Sequence, residues 1–434
     1  MPEQKFNTCE VLSCVHAPSH NDTCLAVSNS SIFVQMNSAP SIPKGGDRFG
    51  QQLAFSRDGN TMAACANTYN RSVVNVYKRL RLVCPVYVRN TVTGTWRALS
   101  LVPFYTQLSD VSNRQMAFSS DATTLVMAAT HYPFIQDNNG RQWVQAKIYV
   151  RNVAGNYVFQ KLLRQEAVSP LGPDGPAGQS GFGIESVSIS LSADGNYLAL
   201  GAAHFNEGTG GAWVYSRQNG EWLQPSKILL GSGAKGLASG RRLRSGRRVA
   251  ISGNGQVLAV ASCAGIGTVW IFSRTGNTWS ETDKLTGGTD WVLEDNNGDV
   301  DLSFDGKTLA FGGNVYGGSF MVFRNVNRVW LRTEISSTGT FDKFFFGVNV
   351  ELSDDGRTVV VASESPQPVV FFFQNGMWVQ DGDHSPKRKP SEYRRTGVYT
   401  FAISGDGATI AVKTFDIDDI TFTGIVKIYK RPSL

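Results

Sequence analysis

Arginine is concentrated in the segment SGRRLRSGRR (239–248), which holds Arg241, Arg242, Arg244, Arg247 and Arg248. Its planar guanidinium suits bidentate contact with carboxylate, phosphate or sulfate. A second basic segment, HSPKRKPSEYRR (384–395), holds Lys387, Arg388, Lys389, Arg394 and Arg395. With Arg48, these side chains are candidates for binding an anionic partner. The competing interpretation is that they lie in solvated loops, where some pair with the acidic residues of the chain.

A candidate calcium loop is EDNNGDVD (294–301), where oxygen-bearing side chains alternate along the chain: Asp295, Asn297, Asp299 and Asp301. Calcium takes about six to eight oxygen ligands, and calcium loops place a glycine after the third ligand. Here the glycine precedes the third ligand. A polar loop leading into a strand is therefore preferred, no cofactor is expected, and calcium is the alternative.

Catalytic motifs are scarce in the sequence. It contains no GxSxG, HExxH or P-loop pattern, and its five histidines stand in different local contexts. The glycine-rich stretch LGSGAKGLASG (230–240) lacks the GK[ST] ending of a phosphate-binding loop. These observations predict that the protein is not an enzyme, although the loops of a repeat fold could assemble a site from distant segments.

The loops must be positioned by a hairpin that the chain repeats, as in LSADGNYLALGA (191–202) and LSDDGRTVVVAS (352–363). A serine precedes the turn in each copy: Ser19, Ser56, Ser119, Ser192, Ser252, Ser303, Ser353 and Ser404. The last copies recur about every 50 residues, a period typical of solenoids and propellers. The Asp-Gly between the arms predicts a two-residue type I′ turn, with positive φ at both central positions.

The second arm of each hairpin is apolar on both faces. In YLALGA, Leu198 and Leu200 point to one side while Ala199 and Gly201 point to the other. A sheet of this kind must be covered on both sides, which four-stranded antiparallel sheets achieve when they are arranged radially. The sequence therefore predicts an all-β fold, a single closed β-propeller over residues 1–434. Eight blades are favoured, with residues near 3–8 completing the last one; seven is the alternative if the first and last units share one blade.

The fullest copy, GDRFGQQLAFSRDGNTMAACA (46–66), contains a Phe-Gly pair that recurs at Phe346-Gly347, again shortly before the turn serine. This pattern resembles the FG-GAP repeat of integrin α-chain propellers, and it is closer to a short-turn form found in microbial and viral proteins. The resemblance implies the propeller fold. It does not carry over the calcium loop of integrin blades, because a two-residue turn cannot wrap the ion.

The spacing of the cysteines argues against a metal site. None of Cys9, Cys14, Cys24, Cys65, Cys84 and Cys263 forms a CxxC pair. Buried free thiols are preferred, with Cys24 and Cys65 as small hydrophobes; a disulfide among the first three is the alternative. No apolar run reaches the ~20 residues of a membrane helix, and no secretory leader is recognisable. The expected location is cytoplasmic or virion-associated, or extracellular if a leader was removed.

These observations favour a binding or structural propeller without chemistry of its own, as an interaction or assembly module of a larger particle or virion. Equivalent loops of a propeller emerge on one face, so the candidate basic residues would gather there. The expected partners are other proteins with an acidic or anionic surface. Nucleic acid is less supported, since the aromatic residues fall on strand arms. The alternatives are a cell-surface adhesion or glycan-binding propeller, and an enzyme whose site is assembled from loops.

Overall fold

The computed structural model of this 434-residue chain describes the core of its repeats. The described residues are 14–15, 23–24, 26–27, 34–35, 46–47, 49–50, 52–69, 80–104, 116–131, 142–167, 187–202, 209–225, 227–234, 248–262, 267–287, 293–315, 319–336, 346–363, 369–381, 400–415 and 424–431. Every regular element within these ranges is a β-strand. No helix in this part of the chain has the length and apolar character needed to cross a membrane.

The strands form seven sheets arranged as propeller blades, together with a small hairpin. The strands that precede the first blade are β1 (Cys14–Val15), β2 (Thr23–Cys24), β3 (Ala26–Val27) and β4 (Val34–Gln35). Blade 1 consists of β5 (Gly46–Asp47), β6 (Leu53–Phe55), β7 (Thr61–Ala64), β8 (Ala66–Tyr69), β9 (Leu80–Arg89) and β10 (Trp96–Phe104). Blade 2 consists of β11 (Met116–Phe118), β12 (Thr124–His131), β13 (Gln142–Arg151) and β14 (Tyr157–Ala167).

The remaining blades follow the same order from the inner to the outer strand. Blade 3 consists of β15 (Val187–Leu191), β16 (Tyr197–Ala202), β17 (Gly211–Gln218) and β18 (Glu221–Leu223). Blade 4 consists of β19 (Arg248–Ile251), β20 (Val257–Ser262), β21 (Thr268–Thr275) and β22 (Thr278–Thr286). Blade 5 consists of β23 (Leu293–Leu302), β24 (Thr308–Val315), β25 (Ser319–Val326) and β26 (Val329–Ser336).

Blade 6 consists of β27 (Val350–Leu352), β28 (Thr358–Val361), β29 (Val369–Gln374) and β30 (Met377–Gln380), and β3 adds to it in parallel. Blade 7 consists of β31 (Phe401–Ile403), β32 (Thr409–Phe415) and β33 (Gly424–Lys430), and β4 pairs antiparallel with β33 as its fourth strand. The preferred count of eight blades is therefore wrong, and seven is correct. Among the described residues of the unit marked by Ser19, β2 pairs with β1 and β3 joins blade 6. The strand that completes blade 7 is β4, where residues near 3–8 were expected.

Each blade packs on the next through the alternation expected from the sequence. Leu198 and Leu200 belong to a core cluster shared with Val126 of blade 2, whereas Ala199 lies in the cluster shared with Leu258 of blade 4. Large side chains on one face thus fill the space left by small residues on the facing blade. Each fully buried leucine contributes about 2 kcal/mol to stability.

The last blade also packs on the first. Met62 and Tyr87 of blade 1 share one core cluster with Ala411 and Ile428 of blade 7. Seven such clusters, each drawn from two neighbouring blades, account for the buried apolar side chains of the described core. The hydrophobic core is therefore divided among the interfaces between blades.

The turn between the first two strands of a blade differs from the predicted type I′ turn. In blade 6 the Gly356 amide donates to the Ser353 carbonyl at 2.9 Å, and only the glycine has positive φ, at 65°. Positive φ at two successive residues occurs instead in turns between third and fourth strands, as at Asn375 and Gly376. The Ser353 hydroxyl donates to Asp355 Oδ1 at 2.6 Å and accepts from the Thr358 amide at 3.0 Å. The serine therefore braces the turn.

The Phe-Gly pairs have a packing function. Phe49 and Phe346 are buried, and the following Gly50 and Gly347 have φ of +79° and +86°. A Cβ on Gly347 would lie 2.5 Å from the Ser319 carbonyl oxygen of the preceding blade. Only glycine allows this approach between blades. The relation of this chain to the FG-GAP family stays a prediction.

Cys65 and Cys84 form a disulfide in blade 1, between the β7–β8 junction and β9. Both residues are fully buried. The expectation that Cys65 is a free thiol acting as a small hydrophobe is wrong, because neighbouring strands bring it beside a cysteine 19 residues away. Cys14 and Cys24 are paired positions of β1 and β2, and Cys9 lies outside the described residues.

Candidate functional site

A belt of backbone hydrogen bonds runs around the propeller axis at the turns between first and second strands. The described bonds link blade 2, through blades 3 to 7, to blade 1, and the donor from blade 4 to the Phe304 carbonyl is the Asn254 amide. The other donors and acceptors are the residues that follow the turn serines: Arg57, Ser120, Ala193, Gly253, Phe304, Asp354 and Gly405. The Phe304 amide donates to the Asp354 carbonyl, the Asp354 amide to Gly405 and the Gly405 amide to Arg57, each at 2.8 Å. On the other side, the Ser120 amide donates to Ala193 and the Ala193 amide to Gly253. The belt therefore holds the side chains of one position, from different blades, around one opening.

A cavity of about 640 Å³ lies at this opening. Its lining comes from the turns of blades 1, 2, 5, 6 and 7: Arg57, Asp58, Ser120, Phe304, Asp305, Asp354, Asp355, Gly405 and Asp406. Five of these residues are aspartates and one is an arginine. An opening lined by polar side chains from several blades is the candidate site for a small molecule.

Most of these carboxylates are fixed by the turn. Asp58 accepts from the Ser56 hydroxyl at 2.6 Å and from the Asn60 amide at 3.0 Å. Burial raises the pKa of Asp58, but these hydrogen bonds and one from the Asn60 side chain outweigh burial and leave its pKa below the usual 3.8. Asp121 and Asp194 show the same lowered pKa for the same reasons. Asp58 is therefore ionised at neutral pH, and the described lining places five carboxyl groups beside one arginine at the opening.

Asp354 is the exception among the lining carboxylates. It occupies the belt position, and its side chain is 28% exposed. Burial raises its pKa above 3.8, the Arg57 charge opposes that rise, and the carboxylates of Asp301 and Asp355 add to it. A carboxyl group with a raised pKa at an opening is a candidate for proton transfer.

Arg57 lies directly beside Asp354. The Arg57 Nε is 2.5 Å from Asp354 Oδ2, and the guanidinium carbon lies 4.4 Å from the centre of the Phe304 ring. Two glycines make room for this group. A Cβ on Gly405 would lie 2.1 Å from Asp354 Oδ2, and one on Gly253 would lie 2.1 Å from Phe304 Cδ2. Arg57, Phe304 and Asp354 are called the axial cluster below.

Polar side chains of the inner strands satisfy the amides of the next blade. Asp301 Oδ2 accepts from the Leu352 amide at 2.8 Å, and Glu351 Oε2 accepts from the Ile403 amide at 2.9 Å. Asp299 Oδ2 accepts from the Val350 amide at 3.4 Å, and its Oδ1 lies 3.6 Å from Arg248 Nε. Both members of this ion pair are buried. The inner strands of blades 5 and 6 therefore carry further carboxylates.

The sequence-derived candidates are only partly placed. Of the basic residues, Arg248 is described and lies buried on β19 beside Asp299. The others lie outside the described residues, and their role in binding an anion stays a prediction: Arg48, Arg241, Arg242, Arg244, Arg247, Lys387, Arg388, Lys389, Arg394 and Arg395.

Two of the four calcium candidates have described side chains. Asp299 and Asp301 bond the backbone of blade 6, whereas the side chains of Asp295 and Asn297 lie outside the described set. Among described residues, no group of three or more His, Cys, Asp or Glu could hold a metal ion.

Sequence reasoning missed the axial cluster. The sequence feature that could have revealed it is the residue after the serine in the Ser-x-Asp-Gly turn. This residue varies from blade to blade, while the residues on either side stay nearly constant. In five blades this position holds a small residue or the aromatic Phe304, and in blades 1 and 6 it holds the opposite charges of Arg57 and Asp354. Opposite charges at equivalent positions of a repeat were the available clue.

The fold of this chain has counterparts among solved structures. The fold is similar to that of the Pseudomonas aeruginosa periplasmic gluconolactonase PpgL, with a TM-score of 0.50 and 17% identity, covering 79% of this chain and 85% of that one. A candidate 6-phosphogluconolactonase of Bacteroides uniformis gives a TM-score of 0.50 and 14% identity, covering 82% of this chain and 87% of that one. The chain is a β-propeller. No family model matches it, and no curated protein matches it in sequence.

These neighbours correct the prediction about function. Both are described as lactonases, and neither is described as a structural or viral protein. This finding contradicts the expectation of a non-catalytic binding or assembly module, and with it the expectation that the chain is not an enzyme. The alternative of an enzyme with a site assembled from propeller loops fits the neighbours better. At this level of identity, the likeness itself extends to the fold alone.

Proposed function

We propose that this protein is a hydrolase that opens a sugar lactone, the cyclic ester of a sugar acid, at the axial cluster. The observation that carries the proposal is the Arg57–Asp354 pair on the wall of an axial cavity, with a carboxyl group of raised pKa next to a fixed cation. The structural similarity to a gluconolactonase and to a candidate 6-phosphogluconolactonase supports the choice of ester.

Asp354 is the general base of the proposed reaction. Its carboxylate takes a proton from a water molecule while the water oxygen attacks the lactone carbonyl carbon. A base with a pKa above that of an ordinary aspartate takes this proton more readily than the turn carboxylates of lowered pKa. The Arg57 side chain, 44% exposed, carries a fixed charge that stabilises the oxyanion formed in this step.

The second half of the reaction returns the proton. The tetrahedral intermediate collapses, the bond between the carbonyl carbon and the ring oxygen breaks, and protonated Asp354 donates its proton to the departing ring oxygen. The product is an open-chain hydroxy acid, which ionises at neutral pH. One water is consumed, and Asp354 ends as the carboxylate with which it began.

We also propose that the seven blades form a closed ring. The packing of Met62 on Ala411 and the hydrogen bond from the Gly405 amide to the Arg57 carbonyl support closure between blade 7 and blade 1. Closure matters for the reaction because the members of the axial cluster come from blades 1, 5 and 6. Blades 5 and 6 are neighbours, and a ring fixes the separation between them and blade 1, on the far side of blade 7.

The test is hydrolysis of glucono-δ-lactone, measured as acid release at constant pH after subtraction of the spontaneous rate. The wild-type protein should accelerate ring opening, and Asp354→Asn should reduce kcat by at least about 100-fold. Asp283→Asn, on the outer strand β22, is the matched control and should keep full activity. A wild-type rate equal to the spontaneous one would overturn the proposed function, and full activity of Asp354→Asn would overturn the role of Asp354.

A further inference from the structure

The charge of the opening indicates which lactones it accepts. We propose that the site selects an uncharged lactone and discriminates against a phosphorylated one. This inference rests on the proposed function and specifies its substrate class. It does not follow from the two structural neighbours, one of which has a phosphorylated sugar in its name.

The first argument is the balance of charge. The cavity is lined by Asp58, Asp305, Asp354, Asp355 and Asp406. The one cation among the described lining residues, Arg57, is already paired with Asp354. Asp301 and Glu351 add further carboxylates on the inner strands of blades 5 and 6. A phosphate group would meet a net negative potential here, although the chain as a whole has a formal charge of +6.

The second argument concerns hydrogen-bond donors. Proteins usually bind phosphate with arginine, lysine or free backbone amides. The belt amides of Phe304, Asp354 and Gly405 already donate to carbonyl groups of neighbouring blades. Lys307 and Arg357, the basic residues of these turns, follow the turn glycine and do not line the cavity. The described lining therefore offers no cradle for a phosphate.

The third argument is that the same carboxylates suit a neutral polyol. Asp355 and Asp406 accept the hydrogen bonds of their turns through Oδ1. The second oxygen of each carboxylate can accept a hydrogen bond from a sugar hydroxyl. Such bonds to an ionised acceptor are stronger than those between neutral groups. The opening thus attracts hydroxyl groups and repels a phosphate.

Aspartate-to-asparagine substitutions can remove negative charge from the opening without breaking the turns, because blade 4 already has asparagine at this position. Blade 4 has Asn254 where the other blades have aspartate, and Asn254 accepts from the Ser252 hydroxyl at 2.7 Å and the Gln256 amide at 3.0 Å. Asp355→Asn/Asp406→Asn should therefore fold normally. Asp194→Asn makes the same exchange in blade 3, whose turn does not line the cavity, and is the matched control.

The experiment compares kcat/KM for glucono-δ-lactone and its 6-phosphate at low and high ionic strength. We expect the wild type to prefer the neutral lactone by about tenfold or more at low salt, and the preference to shrink at high salt. In Asp355→Asn/Asp406→Asn the ratio of kcat/KM for the neutral lactone to that for the phosphorylated lactone should fall several-fold, because the phosphorylated lactone is turned over faster. Asp194→Asn should leave this ratio unchanged. Equal or faster turnover of the phosphorylated lactone by the wild type would overturn this inference alone. Failure to hydrolyse either lactone would overturn the proposed function, and the inference with it.

Discussion

Arg57 Nε lies 2.5 Å from Asp354 Oδ2, which joins blade 1 to blade 6 across the belt position of blade 7. The two residues come from sheets that are not neighbours in the ring. They meet because blade 7 has Gly405 at the belt position between them, and a side chain there would occupy the space of the pair.

Removal of the Arg57 charge should shift the pH profile of hydrolysis. Asp354 must be ionised to act as a base, so kcat/KM should rise with pH through the pKa of Asp354, which lies above 3.8. Arg57 lowers that pKa, so Arg57→Gln should move the acid limb to higher pH and reduce the plateau by about 100-fold. Arg57→Lys keeps the positive charge, so the acid limb of its kcat/KM profile should move less. If the acid limb of Arg57→Gln does not move, a group other than Asp354 controls the profile.

Gly405→Ala should damage activity more than stability. The new Cβ would lie 2.1 Å from Asp354 Oδ2 and 2.5 Å from Arg57 Cγ, so the two side chains must separate. The backbone should tolerate the change, because blade 3 has Ala193 at the same position of the turn. We expect kcat/KM to fall by at least about tenfold while Tm stays nearly constant. A loss of Tm without loss of activity would contradict this.

Ser353→Ala should destabilise the fold. The hydroxyl is fully buried, donates to Asp355 and accepts from the buried Thr358 amide. Its removal leaves that amide without this acceptor, at a cost of about 1–3 kcal/mol. Denaturant unfolding measures the difference. Ser273→Ala is the control, because the Ser273 hydroxyl pairs with Thr282 at the surface, and it should change stability by less than about 0.5 kcal/mol.

Gly347→Ala should be more destabilising than Gly376→Ala. Both glycines have positive φ, at +86° and +84°, so both substitutions strain the backbone. A Cβ on Gly347 would also meet the Ser319 carbonyl oxygen of blade 5, whereas nothing lies within 4 Å of one on Gly376. The difference in unfolding free energy should be about 1–3 kcal/mol, and it isolates the close approach of two blades. Equal effects would mean that backbone strain alone explains the Phe-Gly pair.

The Cys65–Cys84 disulfide should stabilise blade 1. Closing a loop of this length contributes about 3 kcal/mol in the chain-entropy model. Reduction, or Cys65→Ala/Cys84→Ala, should therefore lower Tm, and the effect of reductant should disappear in the double variant. Alkylation of the unreduced, denatured protein followed by mass spectrometry should leave these two of the six cysteines unmodified. Modification of both would contradict the bond.

The sequence determined the features that depend on near neighbours in the chain. The alternation of Leu198 and Leu200 with Ala199 required a sheet covered on both sides, and the clusters of blades 2 to 4 confirm it. The repeated Ser-x-Asp-Gly turn specified a hairpin because its hydrogen bonds join residues at most five positions apart. Only the type of turn differed, since the serine and aspartate side chains stabilise a turn in which positive φ occurs at one position, held by glycine or, in blade 2, by Ala122.

The tertiary structure decided what depends on distant segments. The Ser19 copy looked like an eighth unit, but β4 completes blade 7 and the count is seven, because pairing with the free edge of β33 satisfies backbone groups that a separate blade would leave exposed. Cys65 meets Cys84, and Arg57 meets Asp354, through the pairing of strands and the arrangement of blades. Local hydrogen bonds and side-chain alternation are fixed by residues a few positions apart, whereas contacts between blades depend on the ring as a whole. That is why the blades could be predicted from the sequence and the axial cluster could not.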